Sequence, residues 1–475
     1  MRALSALPLD DDIVDRVMTF CPSFSCLQAT ILVSKAFYRV FQTHPKAITR
    51  AVAYNIVGPG LPQALRVLRY PPYNGPDADA IEMAEACREE HGASVITAEE
   101  KQKLRENAEI VGKLEDIYSL TTKDRTSKRS VLTSEESWRF RRAAYRIMLY
   151  CSVFPGNRYE FDEIEALDDQ QIEKIRGQRT AMLNRYQTDE LLELFSVVKF
   201  IQGILSSVVD DDQSNMVDIL LSTGPEGAVL AWEERSYDAL EMDLLGDGLL
   251  HDDEDNKLFA GYFTLTFENI WTRRNLKPPK EEDPASKWVL DEVIGANDTC
   301  SQCAAPGGLQ LLTSANWDRF PVSPTACLKN KLKSNASIIG PFAQATAHLA
   351  NLPSHSLFLG IHNAVNQAAL GAWITEIFDV RRAPGFEVAD GWDVGASYCA
   401  ACLSRFLEEH VWVWFLEERV KSTCLCVSAS MLTVPAAGWV PPEDCWYGYN
   451  CNTQTHKAAH QTGKNHLCVP TRGSA

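Results

Sequence analysis

The chain has 475 residues, 23% of them charged, with a formal charge of −17 and an isoelectric point near 5.1. That length can bury a large core in roughly two to four domains, and the acidity argues against a general nucleic-acid binder. The charge is uneven: from Cys300 onward twelve Lys/Arg balance twelve Asp/Glu, so the whole excess lies in residues 1–299.

Cysteine and histidine are skewed the other way, with ten of 14 Cys and seven of 10 His in the last 176 residues. The start, "MRALSALPLDDD", has no apolar run of signal-peptide length, and no window is long and apolar enough to span a membrane. The chain reads as soluble and intracellular, in cytoplasm or nucleus, with no membrane partner. In such a compartment disulfides are reduced, so clustered cysteines point to zinc rather than to cross-links.

In chain order, "LPLDDDIVDRVMTFCP" predicts a first helix. Ile13, Val17 and Phe20 share a face flanked by Val14 and Met18, Asp10 to Asp12 supply first-turn carboxylates, and Pro22 ends it. "SCLQATILVS" follows, then "SKAFYRVF", capped by Ser34 and presenting Phe37, Val40 and Phe41. "PKAITRAVAYNIVGPG" places Ile48, Ala51, Val52, Asn55 and Ile56 at helical spacing before the Gly58-Pro59 stop.

This opening resembles an F-box. The family's Leu-Pro start is Leu7-Pro8, its Ile-Leu pair corresponds to Val17-Met18, its second proline is Pro22, and its Val-Cys/Ser-Lys-x-Phe/Trp run is Val33-Ser34-Lys35-Ala36-Phe37. The match covers about forty residues, and the longer run "ILVSKAFYRVFQTHPKAITRAVAYNIVGPGLPQALRVLRYP" looks like a large family of basidiomycete fungal F-box proteins. A three-helix unit of that size is too small for a self-sufficient core. The resemblance implies that it packs against a Skp-type adaptor of a cullin ubiquitin ligase through Leu7, Pro8, Ile13, Val17, Met18, Pro22, Val33 and Phe37. The bland alternative is that these helices are simply the start of an all-α domain.

Residues 77–118 read as two exposed helices or a linker, and 121–130 as a polar connector. From 134 to 210 helical patterning returns, while "LFAGYFTLTFENIW" (258–271) is the best short strand candidate. "LKPPKEEDP" (276–284) is the expected boundary region. In the last third, "GASYCAACLSRFLEEHVWVWFLEERV" predicts an amphipathic helix with Phe406, Leu407, Val411, Trp414 and Phe415 on its apolar face. "KSTCLCVSASMLTVPAAG" then reads as a loop or as a gene-model insertion. The expected fold is mainly α: an F-box-like unit (4–50), a helical middle region (51–290), an α-rich region with split cysteine pairs (291–440) and a zinc-finger-like segment (441–475).

Two constellations carry metal chemistry. Cys300-x2-Cys303 and Cys399-x2-Cys402 are the usual halves of a four-cysteine zinc site, but 95 residues separate them, so the fold must bring the knuckles together. "DCWYGYNCNTQTHKAAHQTGKNHLC" (444–468) is denser still. Cys445 and Cys451 flank a turn in which Gly448 lets the chain bend back, and His460 and His466 follow, with His456 and Cys468 as competing ligands. Two zinc ions are expected.

The second segment also resembles the poly(ADP-ribose)-binding zinc finger through Cys445, Tyr447, Gly448, Cys451, His460 and His466. That resemblance implies that Tyr447 and Gly448 contact an ADP-ribose polymer. The chain departs from it where Pro442, Glu443 and Asp444 replace basic residues and where Asn452 and Thr453 follow the second cysteine.

The acidic run "DLLGDGLLHDDE" (243–254) mimics a calcium loop, but Leu245 stands where a ligand is required. His348, His355 and His362 read as surface or capping residues. With no phosphate-binding glycine loop, nucleophile elbow or His-Glu-x-x-His motif, no enzymatic activity is expected. The expected role is a non-catalytic ubiquitin-ligase adaptor whose remainder selects an unknown protein substrate. The alternative is a zinc-dependent module for ADP-ribose chains or nucleic acid.

Overall fold

The computed structural model describes residues 10–70, 95–158, 166–209, 216–245, 257–280, 282–320, 367–380, 391–421, 442–448, 451–453, 457–466, 468 and 470–472, with Glu89 and Ile164. Leu7, Pro8, the 422–438 stretch, most of the acidic run, His348, His355, His362 and His456 lie outside the described residues, as do the side chains of Val411, Trp414 and Phe415. The described chain is mainly helical, and its only strand-like features are three isolated bridges. It divides into two compact units, residues 1–123 with 129–292, and residues 124–128 with 293–475.

The first unit opens with α1 (Asp11–Thr19), α2 (Phe24–Val33), α3 (Lys35–Thr43) and α4 (Pro45–Val57). Ser23 and Ser34 cap α2 and α3 by accepting the amides of Cys26 and Phe37. Asn55 of α4 reaches back to donate to the carbonyls of Thr19 and Cys21 at 2.7 and 3.0 Å, satisfying the free end of α1. The small core holds Val14, Met18, Cys21, Leu27, Val40, Ile48 and Val52.

The faces of α1 are therefore unequal. Val14 and Met18 are buried in the unit's own core, whereas Ile13, Val17 and Phe20 are 49%, 45% and 78% exposed. Met18, expected on the partner face, packs inward instead, because residues 14 and 18 sit one turn apart on the side facing α3 and α4. Phe37 is half-buried against the same core, and Pro22 and Val33 are exposed.

The larger core of this unit is built by α5 (Leu61–Arg69), α6 (Ala98–Thr122), α7 (Ser134–Val153), α8 (Asp169–Leu183), α9 (Thr188–Ser206), α10 (Gly224–Glu234) and α11 (Thr264–Arg273). Two expectations need correcting here. The described part of the 77–118 stretch is no exposed linker: α6 is one continuous 25-residue helix started by a Thr97/Glu100 capping box. It buries Leu104, Val111, Leu114 and Tyr118 at helical spacing. Nor is 258–271 a strand. Phe263, Phe267 and Trp271 recur every four residues and stack at 6.3 and 5.9 Å between ring centroids, a ladder only a helix can build.

Glu136 joins three parts of this unit. It completes the cap of α7 by accepting the Thr133 amide at 2.8 Å, pairs with Lys123 beyond α6, and accepts the Asp291 amide at 2.9 Å. Between α7 and α9, Arg142 grips Glu193 through both Nη2 contacts (2.7 and 2.6 Å), and Arg146 bonds Glu89 and Glu190. Both of these largely buried arginines thus have carboxylate partners, which offsets their desolvation.

In the second unit, α12 (Gln367–Val380) packs on α13 (Ala400–Lys421). Its core is an aromatic stack: Phe378 lies 4.9 Å from Trp317 and 3.9 Å from Phe406, with Tyr398 and Trp392 alongside. Among the described residues no helix is long and apolar enough to cross a membrane.

Candidate metal centres

The chain forms a tight turn at Cys300–Cys303, closed by the Cys300 amide on the Ala305 carbonyl (2.8 Å) and the Ala304 amide on the Cys300 carbonyl (2.8 Å). The other knuckle is the start of α13, where Cys399 and Cys402 lie one turn apart. A short antiparallel link brings them together: Leu312 and Tyr398 exchange both backbone hydrogen bonds (2.7 and 2.9 Å), and Ser301 donates to the Ser397 carbonyl (2.8 Å).

The result is a cluster of Cys300, Cys303, Cys399 and Cys402 whose sulfurs all lie within 4.8 Å of one another. Sγ of Cys303 is 3.8 Å from Sγ of Cys399. A tetrahedron with ~2.3 Å metal–sulfur arms has edges of about 3.8 Å, so this spacing fits a four-thiolate zinc shell. Burial alone would raise the Cys300 thiol, but the backbone amides of Cys399, Cys303 and Gln302 point at its sulfur and draw it down to about 6. Cys402 is shifted up by burial and by its three thiol neighbours. Such crowding of sulfurs is what a divalent cation relieves. Cys300 and Cys402 are buried, Cys399 is half-buried and Cys303 is exposed.

The second cluster joins Cys445, Cys451, His460 and His466, again with ligand atoms within 4.8 Å. His460, on the short helix α14 (Ala458–Gly463), places Nε2 3.6 Å from Sγ of Cys445 and 3.4 Å from Sγ of Cys451. Mixed sulfur–nitrogen edges of a zinc tetrahedron are about 3.5 Å. His466 is 1% exposed, and neither of its ring nitrogens has a hydrogen-bond partner. A buried imidazole left so is costly unless a metal takes one nitrogen. Burial and the neighbouring His460 hold His466 down to about 4, so it is neutral at pH 7, the form that ligates.

Gly448 shapes this knuckle. Its φ is +42°, and a Cβ there would collide with the Cys468 carbonyl. Cys468 is not part of this group: its thiol lies within hydrogen-bond reach of the carbonyls of Cys445 (3.5 Å) and Asn465 (3.4 Å). Burial and Asp444 push it up to about 12, so it stays a protonated donor. The strand-like pairing of Asp444 with Asn465 fixes the first cysteine beside the last histidine. Trp446 and Tyr447 remain 55% and 49% exposed, and the Arg472 guanidinium lies 3.9 Å over the Trp446 ring.

Both groups can therefore hold a metal ion, with donors and spacings consistent with zinc. Of the residues expected to face a partner, Ile13, Val17 and Val33 are on the surface, whereas Met18 is not. No protein-family model, curated protein or solved structure matches this chain.

Proposed function

We propose that the protein is a non-catalytic adaptor of a Skp–cullin ubiquitin ligase, docking through α1–α3 and presenting a zinc-braced C-terminal region to a protein substrate. The observation that carries this reading is the apolar surface of the N-terminal helices. Ile13, Val17, Phe20, Leu32 and Val33 are each between 45% and 78% exposed although the unit's own core is small. So many exposed apolar side chains on so small a unit are the sign of a surface completed by another chain. The F-box-like order from Leu7-Pro8 to Phe37 supports a Skp-type adaptor as that chain. Co-expression with a Skp-type adaptor tests it: the full chain should co-purify, and Leu7→Ala/Pro8→Ala should lose capture while keeping its helical circular dichroism. Undiminished capture by that variant removes the F-box reading.

A second reading has its own support. Exposed Trp446 and Tyr447 beside Arg472 form an aromatic and cationic surface suited to stacking on adenine and pairing with phosphate. On this reading the finger is a zinc-dependent binder of ADP-ribose polymer. Retention of labelled polymer by the full chain, lost in Tyr447→Ala, supports it; no retention by the intact protein leaves the finger a structural or protein-binding element.

A further inference from the structure

Arg125 belongs to the five-residue segment 124–128, which is part of the second unit. Its side chain is 4% exposed. Nη2 donates to Oδ2 of Asp298 at 2.5 Å and to Oγ of Ser397 at 3.1 Å, and Nη1 donates to the Gly295 carbonyl at 3.4 Å. Asp298 stands two residues before Cys300, and Ser397 stands two residues before Cys399. One guanidinium thus holds the approach to both knuckles, 173 and 272 residues away along the chain. Its main chain is engaged as well, since Thr313 Oγ1 donates to the Arg125 carbonyl at 3.0 Å, next to the Leu312–Tyr398 bridge.

The surroundings are shaped for this side chain. Gly295 has φ +73°, and a Cβ there would stand 2.5 Å from Arg125 Nη1 and 2.8 Å from Asp298 Oδ2. Beyond the guanidinium the knuckles touch directly: the Ser397 amide donates to Ser301 Oγ (3.3 Å) and the Cys399 amide to Cys300 Sγ (3.3 Å). The rigid guanidinium fixes the directions of these donors and reaches the Gly295 carbonyl with its second arm, whereas a lysine ammonium offers three rotatable donors on a flexible stem.

We propose that Arg125 is a positioning residue for the four-cysteine metal centre, holding the two distant Cys-x2-Cys knuckles in the register that the ion needs. The proposal rests on the reading that these cysteines share a zinc. The backbone link, the Ser397–Ser301 contact and a buried core that includes Cys300, Leu312, Tyr398 and Cys402 also hold the knuckles together. The guanidinium adds the polar tie at their approaches, lowering the closure cost met each time the ion binds. Residues that orient ligands without touching the metal typically alter affinity by roughly 10–100-fold.

The test uses the full chain in a Cys445→Ser background, where the four-cysteine centre is the one remaining candidate site among the described residues, with transfer of zinc to excess chelator followed by a colorimetric indicator. Retention of one zinc by this background establishes the centre; no zinc there overturns the metal reading and the Arg125 role with it. Arg125→Ala should then release zinc roughly 10–100-fold faster, and Arg125→Lys should fall between. Cobalt loaded in place of zinc should show a shifted visible ligand-field band in Arg125→Ala, a change that lost stability alone does not produce. Release at the parental rate by a folded Arg125→Ala overturns the proposal. If that variant does not fold, Ser397→Ala decides: faster release supports the role, and the parental rate overturns it.

Discussion

Sγ of Cys303 lies 3.8 Å from Sγ of Cys399, although the two stand 96 positions apart in the chain. A metal ion at this point would close a loop several times longer than that of an ordinary zinc ribbon. Loop-closure entropy grows only slowly with length, so such a clamp remains effective.

The first prediction follows from that clamp. Metal binding would contribute folding energy to the second unit, whose described core is smaller than that of the first. A strong chelator should lower the melting temperature of one calorimetric transition, the one belonging to residues 293–475, and leave the other within a degree or two. Equal shifts in both transitions, or none, would count against it.

The second concerns pH. Burial alone would raise Glu136, but Lys123 and the Thr133 and Asp291 amides outweigh it and hold the carboxyl down to about 2. Because the folded value lies below the unfolded one, this group's stabilisation is complete above about pH 4.5 and is lost as pH falls toward 2. Glu136→Gln, which leaves Lys123 without its charge partner, should cost about 3–5 kcal/mol at pH 7 in denaturant titrations. The gap between wild type and variant should narrow between pH 4.5 and 2.

The third separates surface from core on a single helix. Val17→Asp together with Phe20→Asp should change stability by less than about 1 kcal/mol, since both side chains are exposed, yet abolish capture of a Skp-type adaptor. Val14→Asp should instead unfold the N-terminal helices, because it buries an unpaired carboxylate. Loss of capture only in the destabilised variant would mean that the exposed face does not dock.

How far the sequence foretold these features differs by element. Helices α1 to α4 were legible because caps, prolines and apolar spacing agree, as at Ser34 before Phe37, Val40 and Phe41. Periodicity did not say which stripe of α1 faces inward, because Ile13 and Val17 are as apolar as Val14 and Met18. The aromatic run at 258–271 suggested a strand because aromatic residues favour both contexts; its four-residue recurrence was the better guide. Both cysteine constellations were visible from spacing, but the choice between Cys468 and the histidines depended on where backbone carbonyls lie. Arg125 gave no signal, since one arginine in a polar stretch acquires its role only from partners far along the chain.

Native mass spectrometry of the full chain, purified without chelator, tests the two-centre account most directly. The intact protein should carry two zinc ions. Cys303→Ser should lose the ion of the four-cysteine centre, Cys445→Ser that of the finger, and the double variant should carry none. A protein that binds no zinc, or a count unchanged by either single substitution, would contradict the account.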